Sequence, residues 1–203
     1  NRQKLCLFVL KFLKTNNMSL SIQQLEPMSL WNYFAEINAI PRASKKEERI
    51  IQHMLDFGNS LGLETFKDDI GNVIIRKPAT TGMENRKPII LQSHLDMVHQ
   101  KNNDTHFDFD TQGIDMYTDG DLVRAKGTTL GADNGIGVAT IMAILSSSDI
   151  DHPAIEALFT IDEETGMTGA LGLQGGVLNG QILLNLDTEE DDEIDIGCAG
   201  GMD

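Results

Sequence analysis

Apolar residues recur at helical spacing in PMSLWNYFAEINAI (residues 27–40), where Leu30, Phe34, Ile37 and Ile40 share one face. Pro41 ends this pattern, because a proline pushes the residue before it out of helical backbone. Ser44 and Glu47 then read as a capping box, Ser-x-x-Glu, opening a second helix over RIIQHMLDFGNSLG, with Gly58 or Gly62 as its stop. Strand patterns follow. ETFKDD and NVIIRK flank Ile70-Gly71 as a hairpin. PIILQSH (residues 88–94) predicts a buried strand ending in histidine. A polar excursion, KNNDTHFDFDTQG, precedes DMYTDGDLVRAKG, which contains a hairpin turn at Asp119-Gly120. GADNGIGVATIMAIL begins glycine-rich and continues as a helix, and AIEALFTIDEE is a second buried strand. TGMTGALGLQG predicts a short helix, QILLNLD (residues 181–187) a third buried strand, and EIDIG a fourth.

Buried strands alternating with helical stretches predict an α/β domain with a mixed, largely parallel sheet flanked by helices. There is no internal repeat and no low-complexity tract. The 203 residues suffice for one sizeable core or for part of a larger one.

Charge narrows the function classes. With 31 acidic and 16 basic residues the formal charge is -15, and no basic stripe is present. This excludes nucleic acid and an anionic membrane surface as partners. Cys6 and Cys198 lie far apart and form no Cys-x-x-Cys site, which fits a reducing cytoplasm. Residues 1–17 are basic and apolar, unlike the rest, and read as a non-native extension, with Met18 as a natural start. Their longest apolar run, residues 5–10, is too short to span a membrane. Residues 18–203 form the domain.

The candidate chemistry lies where the strands end. The apolar run at 157–161 is followed by Asp162, Glu163 and Glu164. Like charges this close repel, and desolvating them is costly without a compensating cation or proton. PIILQS ends in His94, with Asp96 two residues on, and QILLNL ends in Asp187. In an open α/β sheet, groups at the carboxyl ends of neighbouring parallel strands converge on one edge. Asp133, just before a helix start, is a fourth edge acid. One imidazole and several carboxylates suit zinc, manganese or cobalt, and suit neither a closed structural zinc site nor a calcium loop. Four or five candidate ligands point to two metals about 3.5–4 Å apart that share a carboxylate. Strand alternation would place Glu163 and Glu164 on opposite faces, so they share a site only if the strand has ended by then; Gly166 fits that. The remaining histidines read otherwise: His53, His106 and His152 as surface or loop residues, and His99 as solvated or near the site. The acidic run at 189–193 reads as a solvated turn. GTTLGADNGIG lacks the Gly-Lys-Ser/Thr of a phosphate-binding loop.

LQSHLDMV (91–98), TTLGADNGIG (128–137), IDEETGMTGA (161–170), LLNLDTEE (183–190) and GCAGGMD (197–203) together resemble the co-catalytic di-zinc aminoacylase and carboxypeptidase clan, and within it the bacterial Xaa-His (aminoacyl-histidine) dipeptidases. The resemblance runs from Met18 to Asp203. It implies that His94 is a zinc ligand whose imidazole Asp96 orients. Asp133 is the bridging carboxylate, often joined to the next residue by a cis peptide in that family. Glu164 ligates one zinc and Asp187 the other, and Glu163 is the general base. The implied reaction is hydrolysis of small dipeptides, Xaa-His among them, by a hydroxide bridging two zinc ions, with cobalt or manganese as other possible metals. Asp162 takes neither role and reads as a solvated or structural acid. The family also carries a later zinc-ligand histidine and an inserted lid or dimerisation domain. Neither is found here, so the resemblance implies the first part of a split catalytic domain, inactive alone, from a protein that is a homodimer when complete. A non-catalytic metal-binding relative, and an amidohydrolase of other dipeptides or N-acyl amino acids, remain as alternatives.

Overall fold

A computed structural model describes residues 21–188 and 194–197. Residues 21–187 belong to one compact unit. The N-terminal extension, both cysteines and the acidic run at 189–193 lie outside the described residues.

Five strands make a mixed sheet: β1 (Glu64–Lys67), β2 (Val73–Lys77), β3 (Ile89–His94), β6 (Ile155–Thr160) and β7 (Ile182–Asn185), in the order β1-β2-β6-β3-β7. The pairs β1–β2 and β2–β6 are antiparallel; β6–β3 and β3–β7 are parallel. A separate hairpin joins β4 (Met116–Asp119) to β5 (Leu122–Ala125). The helices are α1 (Met28–Asn38), α2 (Glu48–Ser60), α3 (Ala132–Ser146), and the short α4 (Glu163–Gly166) and α5 (Thr168–Gly172).

Side-chain alternation along the central strands builds two layers. Val73, Ile75, Leu91, Ile155, Ala157 and Phe159 pack with Phe34 and Ile37 of α1, Ile50 and Met54 of α2, and Ile141 and Met142 of α3. Ile74, Ile90 and Leu158 point the other way, against Phe66, Leu173, Val177 and Leu178. β6 is buried along its whole length because it has a strand on each side and a layer on each face.

The structure corrects several of the sequence expectations and decides between the two candidate stops of α2. Ser44 and Glu47 form no capping box: the N-cap of α2 is Glu47 itself, without a side-chain cap bond. Both side chains instead turn inward toward the sheet edge. Gly62, with φ of 69°, follows the end of α2, whereas Gly58 sits within it, facing Thr65 and Ile75. The β4–β5 turn is Gly120-Asp121, one residue later than read, since Asp119 already pairs with Leu122. QILLNLD is a strand but not a buried one. β7 pairs only with β3 among the described residues, and Ile182, Leu183 and Leu184 are exposed. Ile194–Gly197 of EIDIG carry no strand.

Candidate metal centre

The register of the parallel strands explains why the candidate ligands meet. Ile89 of β3 pairs with Ile155 on one side and Ile182 on the other, so the three parallel strands start level, and β7 stops at Asn185, opposite Gln92. His94 is the last residue of β3 and pairs with Thr160, the last of β6. β6 stops there, and Asp162 adopts left-handed backbone (φ 49°) that turns the chain into α4. Because the strand has ended, Glu163 and Glu164 occupy the first turn of a helix and reach the same region. Asp187 follows β7 by two residues. Asp133 comes from the start of α3. Gly131 (φ 70°) precedes α3, and Asp133 and Asn134 are non-helical, joined by a cis peptide bond.

All four candidate ligands converge. The fully buried His94 places Nε2 3.0 Å from Asp133 Oδ1 and 3.9 Å from both Asp187 Oδ2 and Glu163 Oε2. Two groups of possible ligands that include His94 have their ligating atoms within 4.8 Å of one another: His94, Asp133 and Glu164, and His94, Glu163 and Asp187. Asp133 is open to solvent, with 62% of its side chain exposed, so the cluster forms a mouth over a buried imidazole.

Asp96 lies beneath, with no exposed surface. Its Oδ1 is 3.2 Å and its backbone carbonyl 3.0 Å from His94 Nδ1. It also accepts the N–H groups of Glu163 and Glu164 at 3.0 and 3.2 Å, and the Ser44 hydroxyl at 2.8 Å. One carboxylate therefore ties β3's imidazole to the turn that carries both glutamates. Asp162 is buried, not solvated; its carboxylate accepts the hydroxyls of Thr165 and Thr168, and its N–H donates to Glu47 Oε1.

The electrostatics follow from this crowding. Burial pushes the Asp96 carboxyl up, but its bonds to His94, Glu163 N–H and Ser44 prevail and hold it at about 2. Burial pulls His94 down, yet Asp96, Asp133 and Asp187 raise it to about 9. Glu163 is raised by burial and by Asp187, Glu164 and Asp96, against the pull of His94. Glu164 is raised by burial and Asp133. These groups compete for too few positive charges, a deficit that a divalent cation would fill. The donor set of one imidazole and carboxylates, without thiolate, fits a catalytic zinc, cobalt or manganese site.

The chain is 52% identical to the cytosol non-specific dipeptidase of Escherichia coli over 182 residues, covering 90% of this chain and 38% of that protein. The structure of aminoacylhistidine dipeptidase from Vibrio alginolyticus superimposes with a TM-score of 0.83 and 53% identity, covering 84% of this chain and 35% of that one. The chain is thus similar in sequence and fold to one part of these dipeptidases. A more distant structure, aminopeptidase PepT from Bacillus cereus, matches at 26% identity and a TM-score of 0.68, covering 80% of this chain and 43% of that one. No protein-family model matches the chain. The chain spans little more than a third of the length of these two dipeptidases.

The other histidines stand apart from the cluster. His53 is half-buried, 3.2 Å from Glu36. His99 is exposed, edge-on to Phe109, and His106 is exposed. His152 lies in a loop as read, but is buried, with Nδ1 2.8 Å from the Pro153 carbonyl. Arg42, Ser44, Glu47 and Asn134 also adjoin the cluster, although the sequence alone does not mark them. Their signal is weak: Ser44 and Glu47 mimic a helix cap, and a lone Arg reads as surface. Asn134 donates from Nδ2 to the Leu186 carbonyl at 3.0 Å, tying the start of α3 to the segment bearing Asp187.

Proposed function

We propose that the whole protein is a metal-dependent dipeptidase, and that His94, Asp133, Glu164 and Asp187 supply ligands to a pair of divalent ions, zinc by preference and cobalt or manganese as substitutes. The convergence of four carboxylates on one buried imidazole nitrogen carries this reading. Such a metal pair supplies an acidified water and a polarised scissile carbonyl. Asp96 fixes the His94 ring by holding Nδ1, leaving Nε2 toward the cluster. Glu163 is the general base. Its carboxyl is raised above the ordinary range, which suits a group that takes a proton from the attacking water and returns it to the leaving amine. Its partner Glu164 is a ligand, so adjacent residues take different roles.

The substrate class we propose is the small dipeptide, with Xaa-His, such as β-alanyl-histidine, as first choice. The names of both dipeptidase relatives support dipeptides; the E. coli relative, called non-specific, favours a broader second reading that admits other dipeptides or N-acyl amino acids. We place the protein in the cytoplasm, as that relative's name suggests. Among the described residues no helix is long and apolar enough to cross a membrane.

The test is hydrolysis of a panel of Xaa-His and other dipeptides by the whole protein, with and without chelator. Cleavage that stops with chelator and returns with zinc supports the proposal. Metal uptake without cleavage of any dipeptide or N-acyl amino acid leaves a metal-binding protein and overturns the catalytic reading.

A further inference from the structure

The segment between α1 and α2 is short, residues 39–47, yet it buries three polar side chains: Arg42 at 2% exposure, Ser44 at 6% and Glu47 at 5%. Burying such groups is costly unless each is well bonded. Apart from Asn38 of α1, which Arg42 also reaches, their partners belong to the segments that carry the candidate ligands. Arg42 donates through Nη1 to the carbonyls of Leu95 and Asp96, at 3.0 and 3.1 Å, just beyond His94. Through Nη2 it donates to the Gly131 carbonyl at 2.6 Å, two residues before Asp133, and to Asn38 Oδ1 at 3.0 Å. Ser44 donates its hydroxyl to Asp96 Oδ2 at 2.8 Å. Glu47 accepts the Asp162 N–H at 3.0 Å, immediately before Glu163. One short segment thus holds the end of β3, the start of α3 and the turn after β6.

We propose that Arg42, Ser44 and Glu47 are positioning residues for the metal centre. They fix the spacing between the His94, Asp133 and Glu163-Glu164 segments, Ser44 by acting through Asp96. This rests on the metal-centre reading above. A carboxylate that orients a metal-bound imidazole is itself held by hydrogen bonds, and loss of such outer partners weakens metal affinity. The Asp96 carboxylate has only two oxygens to serve His94 and two backbone N–H groups. Without the Ser44 hydroxyl, Oδ2 loses its shortest bond and the carboxylate can rotate away from the imidazole. Arg42 adds a fixed fork: its planar guanidinium donates to three backbone carbonyls at once, and a lysine ammonium does not match that donor geometry.

The experiment uses the metal-stripped whole protein, titrated with cobalt well below its melting temperature and followed by visible absorption, beside thermal melting of the metal-free form. For Ser44→Ala the expected result is a loss of cobalt affinity of about 10- to 100-fold with a changed absorption spectrum. Ser44→Thr, which keeps the hydroxyl, restores both. Glu47→Gln keeps an oxygen acceptor for the Asp162 N–H and binds like the wild type, whereas Glu47→Ala loses affinity. Wild-type affinity and spectrum in Ser44→Ala overturn the inference, whatever happens to melting. Equal losses in Glu47→Gln and Glu47→Ala overturn the role given to Glu47. A wild type that takes up no cobalt overturns the metal reading as well; cobalt bound equally by wild type and Ser44→Ala overturns this inference alone.

Discussion

Glu163 and Glu164 are neighbours in sequence and share one acidic mouth, yet their proposed roles separate cleanly by mutation. Glu163→Gln in the whole protein removes the proton acceptor and keeps a side chain of the same shape. Turnover falls by about 10²- to 10⁴-fold, while zinc affinity, read by calorimetry, stays near the wild type. Undiminished turnover in this variant would remove Glu163 from the chemistry. His94 gives a second test at this scale. With its imidazole raised to about 9, it is protonated at neutral pH in the metal-free protein, so a metal must displace that proton. Affinity for zinc therefore rises with pH up to about 9, and binding at pH 7 releases about one proton. Calorimetry in two buffers of different ionisation enthalpy measures it; zero release argues against His94 as a ligand. The same group sets a stability trend. Its folded value lies above the ordinary 6.5, so its contribution is fully present below pH 6.5 and is lost as pH rises through 9. Metal-free protein loses this contribution between those limits, and metal-loaded protein does not share the loss.

Among the elements, α3 places Asp133 most narrowly. Gly137, on its first regular turn, faces the side chains of Asn134 and Ser93 of β3, with no room for a methyl group. Gly131 has left-handed backbone, and a β-carbon there would meet Arg42 and Met97. Gly137→Ala should force α3 away from β3 and carry Asp133 with it. The expected cost is about 1–3 kcal/mol of stability, measured by urea unfolding, together with weaker metal binding. A Gly137→Ala protein of unchanged stability would mean that α3 tolerates the shift. Arg42 works between elements rather than within one, because its guanidinium donates to carbonyls just past the end of β3 and on the approach to α3.

Across the whole molecule, the excess of acids sets the response to cations. The net charge is -15, and the candidate centre gathers several carboxylates around one imidazole. Metal-free protein therefore carries repulsion that a bound cation relieves, and any ligand that binds only the folded state stabilises it. Chelator should lower the melting temperature of the whole protein, and zinc, cobalt or manganese should restore it. Sodium chloride should recover part of the loss, since screening weakens repulsion among exposed carboxylates but less so among buried ones. A melting temperature indifferent to zinc would count against the metal centre.

The sequence by itself determined the α/β alternation, the hairpins and the identities of the clustered residues. Those features are local: helical spacing over α1, apolar runs in β3 and β6, and an imidazole or acids where each run stops. It also indicated that Glu163 and Glu164 can share a site only if the strand has ended before them. Only the tertiary structure decided where the polar residues between α1 and α2 go. Ser44-x-x-Glu47 has a helix cap's pattern, but its partners lie 52 and 115 residues away, and a buried carboxylate and an N–H at the sheet edge outcompete a local cap. Tertiary placement likewise put Asp162 inside and left β7 exposed. An apolar run records a strand's tendency to be covered, while its place at the end of the sheet order decides whether the described chain covers it.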